Sequence, residues 1–207
     1  MNRTDLLTAA SLIALCAGSA SAGKPPIAFP KVSKVLWDQN SNYIYPAVNS
    51  DDYSSTSSLD DQGADDFVIP KGKTWRITEV DVTGTYFQGS GPANFENIVF
   101  YRDNMGVPGK PIRNGRFTNL NGAGGPNFSI VLPGKGIQLR AGHYWVSVVA
   151  NVDIMVGQWG WGVNYAQHRS RGVWRDPPAD LCPTWCNIES IGANGPDFMF
   201  ELKGVSK

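Results

Sequence analysis

Residues 75–83 read Trp-Arg-Ile-Thr-Glu-Val-Asp-Val-Thr and carry the clearest strand pattern of the chain. Apolar Trp75 and Ile77 alternate with polar neighbours, and Val80 and Val82 do the same. This alternation is typical of a strand that places one face in a core. The alternation slips by one residue between Ile77 and Val80, which predicts a β-bulge at that point.

Similar short apolar segments recur on both sides of this strand. Those that we predict as strands are 35–37, 67–69, 97–102, 128–132, 137–139, 143–152, 155–164 and 198–202. Turn-forming sequences separate several of them, such as Pro-Lys-Gly at 70–72, and no segment has a helical apolar period. The pattern predicts an all-β fold, an antiparallel two-sheet sandwich of jelly-roll or Greek-key type with about eight strands.

The chain of 207 residues is long enough for one domain with a substantial core. We predict a Pro-containing lead-in at 23–32 and a single β-sandwich domain over 33–207. Two segments lack a sustained apolar period and are predicted as long loops, at about 40–63 and 166–195.

The first 22 residues have the pattern of a signal peptide. Arg3 precedes an apolar run at 6–17, and Ala-Ser-Ala at 20–22 suits signal peptidase, so we expect cleavage before Gly23. Bulky Leu15 precedes Cys16, which argues against lipidation there. The remainder has no apolar run of membrane-spanning length, so we expect a secreted protein, periplasmic or extracellular, without membrane insertion after cleavage.

Two cysteines, Cys182 and Cys186, remain after this cleavage. In an oxidising compartment we expect them to form a disulfide. A loop this short contributes about 2 kcal/mol by the chain-entropy estimate, so it would hold a local turn more than the whole fold.

The charges of the chain are balanced, with 18 Lys and Arg against 18 Asp and Glu. A balanced chain lacks the positive field that holds phosphate backbones or anionic lipids. We therefore expect no nucleic-acid partner.

Four motifs follow one another in an order that resembles a group of bacterial proteins. They are Ala-Asp-Asp-Phe at 64–67, Tyr-x-Asp-x-x-Gly-x-Pro-Gly at 101–109, Leu-x-Ala-Gly-x-Tyr-Trp-Val-Ser at 139–147 and Asp-Phe-Met-Phe-Glu-Leu-x-Gly at 197–204. The order resembles secreted bacterial β-sandwich domains often found with PEP-CTERM-type sorting tails. That resemblance implies a fold and an export route, and it brings no catalytic set. The Pro-Glu-Pro tail of that group is not found here, so we do not expect sorting by that route.

Catalytic patterns are scarce in this sequence. Only His143 and His168 could act as histidine bases, and neither a Gly-x-Ser-x-Gly nor a His-Glu-x-x-His motif occurs. Two carboxylates would suffice for glycoside hydrolysis, but no motif singles out a pair. We therefore expect a non-catalytic protein.

The aromatic residues offer the best functional lead. Trp159 and Trp161 are two residues apart on a predicted strand and share a face, while Gly160 and Gly162 leave the other face bare. An exposed pair of this kind can stack on sugar rings. Because Val163 continues the same face, the pair can equally belong to the core.

A second candidate surface lies in the predicted loop at 166–195 and next to it. Its ligand-binding residues would be Trp174, Trp185, Tyr165, Arg171 and Arg175. The alternative is a small core in which the two tryptophans pack on the disulfide.

Four acidic residues, Asp60, Asp61, Asp65 and Asp66, could bind a structural calcium ion at a strand-entry loop. A solvated or turn-forming role is the alternative for these carboxylates. No other cofactor is expected.

Three functions follow from these patterns. The first is a secreted domain that binds a glycan or another surface ligand, such as a surface protein, through aromatic side chains. The second is a structural or protein-interaction role in the envelope or matrix. The third is a polysaccharide hydrolase or lyase.

Overall fold

The computed structural model describes residues 32–40, 43–122, 125–178 and 181–207. The predicted signal peptide, and all but the last residue of the predicted lead-in, lie outside these ranges. Within the described residues, fourteen strands and three short 3₁₀ helices follow one another. The strands are β1 Lys34–Asp38, β2 Tyr43–Asn49, β3 Asp51–Tyr53, β4 Gln62–Val82, β5 Gly84–Phe87, β6 Phe95–Asp103, β7 Pro108–Leu120, β8 Phe128–Val131, β9 Ile137–Val152, β10 Gln158–Asn164, β11 Val173–Arg175, β12 Cys186–Asn187, β13 Asp197–Phe198 and β14 Phe200–Ser206.

The strands form two sheets, which confirms the predicted all-β sandwich with more strands than the eight expected. The main path of the ten-stranded sheet runs β1-β14-β4-β9-β6-β7, with β3, β8, β11 and β12 joined beside it. The four-stranded sheet contains β13, β10, β2 and β5. Neighbouring strands are antiparallel except β3, which runs parallel to β9.

The bulge predicted from residues 75–83 is confirmed. Ile77 pairs with Gly204 of β14, and Glu79 pairs with the next residue, Lys203, so Thr78 is the extra residue on β4. The bulge restores the inward direction of the alternation, and Ile77 and Val80 are both fully buried.

The main core lies between the two sheets. It gathers large side chains from both of them, including Phe67, Phe100 and Trp161, which are all fully buried. The rings of Trp161 and Phe198 stack with centroids 4.6 Å apart. Trp161 also contacts Phe200 of β14, with ring centroids 6.2 Å apart, and this contact joins the four-stranded sheet to the ten-stranded one.

A smaller second core covers the opposite face of the ten-stranded sheet. It consists of Ala64, Val99, Tyr101, Trp145 and Val173, with Val107 and Trp185 packed against it. Val173 belongs to β11, which pairs with the beginning of β4. The segment β11–β12 therefore forms a lobe at the edge of this face.

Both predicted loops contain regular structure, so these two predictions need correction. The segment 40–63 includes β2 and β3, and 166–195 includes β11, β12 and the 3₁₀ helix Ile188–Ile191. Ser50, Asp51 and Asp61 are buried in the first segment, so polar residues there belong to the interior rather than to a surface loop.

The predicted disulfide between Cys182 and Cys186 is present, and it joins Cys182, in the connection from β11, to the first residue of β12. The helices of the described ranges are single turns of three or four residues, and none is long or apolar enough to cross a membrane.

Candidate functional site

A cleft of about 400 Å³ opens on the face of the ten-stranded sheet that carries the second core. Asn97 of β6 and Val149 of β9 pair across the strands and both line it, whereas their neighbours Ile98 and Val148 point into the main core. The full lining is Asp51, Asp52, Asp60, Asp61, Gln62, Asn97, Val99, Arg116, Thr118, Val149, Arg175, Pro177 and Pro178. The cleft thus combines an apolar floor with polar walls.

Arg175 forms a fixed basic wall of the cleft. Its Nε and Nη2 atoms donate to Oε1 of Gln62 at 3.0 and 2.6 Å, and its guanidinium lies 4.4 Å from the ring centroid of Trp185. Gln62 in turn donates from Nε2 to the hydroxyls of Tyr101 and Ser147, at 2.9 and 2.8 Å. This chain of contacts holds the guanidinium in one orientation.

Arg116 supplies the second guanidinium of the cleft. It lies on β7 at the end of the sheet path, and its side chain is exposed. Arg175 is half-buried and anchored, whereas Arg116 is exposed.

Asp51 lies at the buried end of the cleft. Both of its carboxylate oxygens accept from the backbone N–H of Trp159 at 3.2 Å, and Oδ2 also accepts from the Tyr53 hydroxyl at 3.0 Å. Burial raises the pKa of Asp51 to about 7, although these hydrogen bonds act in the opposite direction.

Asp61 lies beside it and lines the same cleft. Its Oδ1 accepts from the backbone N–H of Asp51 at 2.8 Å. Burial, followed by the charge of Asp51, raises the pKa of Asp61 well above its usual range. Asp60 similarly accepts from the backbone N–H of Tyr53 at 2.9 Å. These carboxylates hold the β3 backbone as well as lining the cleft.

The described lining includes no histidine, cysteine or serine. What it offers instead is planar hydrogen-bonding groups: carboxylates, carboxamides and guanidinium groups over Val99 and Val149. Such groups bind hydroxyl-rich molecules by paired hydrogen bonds.

Trp159 and Trp161, the predicted stacking pair, are both completely buried. Their indole N–H groups donate to the backbone carbonyls of Pro126 and Met199, at 2.8 and 2.7 Å. The core alternative therefore describes this pair, and neither ring has a face for a ligand. Gly160 is covered too, because a Cβ placed there would lie 2.7 Å from that of Ala47.

The residues of the second predicted surface, at 165–185, do not lie together. Some pack in one of the two cores, and others face solvent. Trp174 is buried, and its indole N–H donates to the carbonyl of Asn49 at 2.9 Å. Trp185 is half-buried against Tyr101 and Arg175. Exposed Tyr165 and Arg171 do not line the cleft, and Arg171 pairs with Glu189 at 2.9 Å. Arg175 is thus the one predicted ligand-binding residue that lines it.

The four aspartates predicted for calcium lie in two places. Asp60 and Asp61 line the cleft, whereas Asp65 accepts from Gln39 and Phe198, and Asp66 contacts His143. In the part of the chain that the structure describes, no three His, Cys, Asp or Glu side chains are placed to hold a metal ion. Calcium binding stays a prediction.

Sequence reasoning missed Asp51, Gln62, Asn97 and Arg116 as lining residues. The first two lie within or at the edge of a predicted loop, and Arg116 lies on β7, which was not predicted as a strand. The alternation of Asn97 and Val99 with Ile98 and Phe100 was the available signal for a second, half-covered face.

The chain matches no family model, no curated protein and no solved structure. Fold and cleft together define an all-β sandwich with a disulfide at Cys182 and Cys186 and, beside the lobe, a cleft with polar walls and an apolar floor. Its function has to be argued from that cleft.

Proposed function

We propose that the protein is a secreted, non-catalytic β-sandwich that binds a glycan in the cleft beside Arg175. The chemistry of the lining supports this proposal. Sugars present hydroxyl groups at their edges and apolar C–H groups on their faces, and the cleft offers planar polar groups above Val99 and Val149. A volume of about 400 Å³ lies within the usual range of ligand pockets, about 300–1,000 Å³.

The orientation of Arg175 is the observation that carries the proposal. Two hydrogen bonds to Gln62 and the ring of Trp185 hold its guanidinium at the cleft before any ligand arrives. A side chain that is already ordered loses little entropy on binding, so it contributes more to affinity than a free surface arginine does.

Secretion is supported by the signal-peptide pattern of residues 1–22 and by the Cys182–Cys186 disulfide, a bond typical of oxidising compartments. If export follows this route, N-terminal sequencing of protein recovered from the periplasm or medium will begin at Gly23. A protein that retains Met1 would contradict it.

A hydrolase would need two carboxylates free to exchange protons with the substrate. Asp61 instead accepts the backbone N–H of Asp51 on β3, and Asp51 accepts that of Trp159 on β10. We therefore expect glycans that bind to be recovered intact after long incubation, and product release would support the hydrolase alternative.

The test is a glycan-array screen followed by titration calorimetry of the strongest binder against two arginine variants. Arg175→Ala should weaken binding at least tenfold, since it removes an anchored donor at the cleft. Arg171→Ala is the matched control from the same lobe, because Arg171 lies outside the cleft, and should change binding less than twofold. The proposal fails if the array is silent, or if Arg171→Ala weakens binding and Arg175→Ala does not.

A further inference from the structure

Two smaller cavities adjoin the cleft at Asp61. One of about 270 Å³ is lined by Ala47, Val48, Asn49, Asp61, Trp174, Leu181, Ile191, Gly192 and Ala193. The other, of about 210 Å³, is lined by Asn49, Tyr53, Leu59, Asp61, Gln158, Trp174 and Asp176. Asp61 therefore borders all three cavities, and Asn49 and Trp174 border both smaller ones.

The volumes of the two smaller cavities indicate that one ligand occupies them together with the cleft. Each lies below the range of about 300–1,000 Å³ that is usual for an independent ligand pocket. The cleft itself lies near the lower end of that range. A ligand that fills the cleft alone is small, whereas one that continues past Asp61 has room for several units.

Charge differs between the cleft and its neighbours. Arg116 and Arg175 line the cleft, but the described linings of the smaller cavities contain no lysine or arginine. Asp61 lies at their junction, and Asp176 lines the smallest. An anionic group at this junction finds carboxyl groups and, among the described lining residues of the smaller cavities, no basic side chain to pair with, so burying its charge there is costly.

Exposed apolar side chains flank the two smaller cavities. Leu181 is 69% exposed beside one, and Leu59 is 45% exposed beside the other. Leucine side chains at these positions can cover the C–H face of a sugar unit outside the cleft.

From these four observations we infer that the three cavities form one groove for a neutral, linear oligosaccharide, whose chain passes over Asp61. The inference rests on the proposed glycan binding and adds the class of ligand. The protein then binds several consecutive units within an oligosaccharide chain rather than a single terminal sugar.

The test is titration calorimetry of the secreted chain with cello-, xylo- and chito-oligosaccharides of two to six units. In at least one series the hexamer should bind at least tenfold more tightly than the dimer, because only the hexamer reaches all three cavities. Oligogalacturonates of the same lengths are the anionic counterparts and should bind at least tenfold more weakly than that hexamer.

Two substitutions locate the effect in the groove. Leu181→Ala and Leu59→Ala should each weaken hexamer binding about fivefold and leave dimer binding within twofold. Met105→Ala is the control, since Met105 is 93% exposed and lines none of the three cavities.

The inference is overturned if dimer and hexamer bind equally, if the oligogalacturonates bind best, or if none of the three neutral series binds. The first two results would leave the proposed function intact wherever Arg175→Ala still weakens binding. A silent glycan array would instead remove the proposed function itself.

Discussion

Gly84, the first residue of β5, lies against the indole of Trp159 on the neighbouring strand β10. A Cβ added at this residue would lie 2.6 Å from Cε2 of Trp159, much closer than van der Waals contact allows. Trp159 cannot move away freely, because Phe128 stacks on it with centroids 4.8 Å apart. The position therefore requires glycine for its lack of a side chain.

We predict that Gly84→Ala lowers the free energy of unfolding by about 1–3 kcal/mol, since the added methyl overpacks a rigid site. Urea denaturation followed by tryptophan fluorescence measures the change. Gly125→Ala is the control, because the nearest atom to its added Cβ is 4.0 Å away, and it should cost less than about 0.5 kcal/mol. Equal effects of the two substitutions would contradict the packing described for Trp159.

The tryptophans show how far single residues can be interpreted from sequence. The spacing of Trp159 and Trp161 correctly predicted a shared face, since side chains alternate along a strand. Whether that face meets solvent or the other sheet depends on partners distant in sequence, such as Phe198 and Pro126. Arg175 was predicted as a binding residue for its type, but its anchor Gln62 is 113 residues away.

At the scale of elements, the lobe of β11 and β12 forms one wall of the cleft. β11 pairs with β12 and with the start of β4, and the disulfide joins Cys182 to the first residue of β12. Asp176 follows β11 and accepts from the backbone N–H of Cys182 at 2.5 Å. The disulfide thus constrains the segment that carries Arg175.

Removal of the disulfide by Cys182→Ala with Cys186→Ala should lower the free energy of unfolding by only about 2 kcal/mol, because the closed loop is short. The amides of residues 173–178 and 181–187 should nevertheless exchange faster with deuterium, while those of β9 stay protected. Reduced wild-type protein is the matched comparison. An unchanged exchange rate in the lobe would show that the disulfide does not hold it.

Strands with a regular alternation of apolar and polar residues could be predicted from the sequence. Strands that contain proline, glycine or buried polar residues could not. The β4 segment and its bulge could be predicted because each apolar residue of 75–82 reaches the main core. β7 escaped prediction because it contains Pro111 and Gly115, which an edge strand tolerates. β3 was missed because its sequence has no alternation of apolar residues. Its backbone is bound instead by the buried carboxyl group of Asp61. β2, which precedes it, was missed with it.

At the scale of the whole molecule, several carboxyl groups of the described residues are buried, among them Asp51, Asp65 and Asp197. Burial raises the pKa of Asp51 to about 7 and that of Asp197 to about 6, and it raises those of Asp61, Asp65 and Asp66 as well. A raised pKa in the folded state means that folding takes up protons between the unfolded value, near 4, and the folded value. The folded state is therefore favoured as the pH falls through this window.

We predict that the free energy of unfolding is higher at pH 5 than at pH 8, by an amount on the order of a few kcal/mol. Urea denaturation at a series of pH values measures this slope. Asp51→Asn should flatten the slope between pH 5 and 7, because it removes the carboxyl with a pKa of about 7. Stability that is flat across this range, or that rises with pH, would contradict the assignment of these groups as buried carboxyls.

Hydrogen–deuterium exchange with the strongest array binder shows whether the cleft beside Arg175 binds a glycan. Bound glycan should slow the exchange of residues 60–62, 97–99 and 175–178, which contribute to the cleft from three parts of the chain. Peptides of β8, which contribute nothing to the cleft, should exchange at the same rate with and without the glycan. Protection confined to other parts of the molecule, with these three segments unchanged, would contradict the claim.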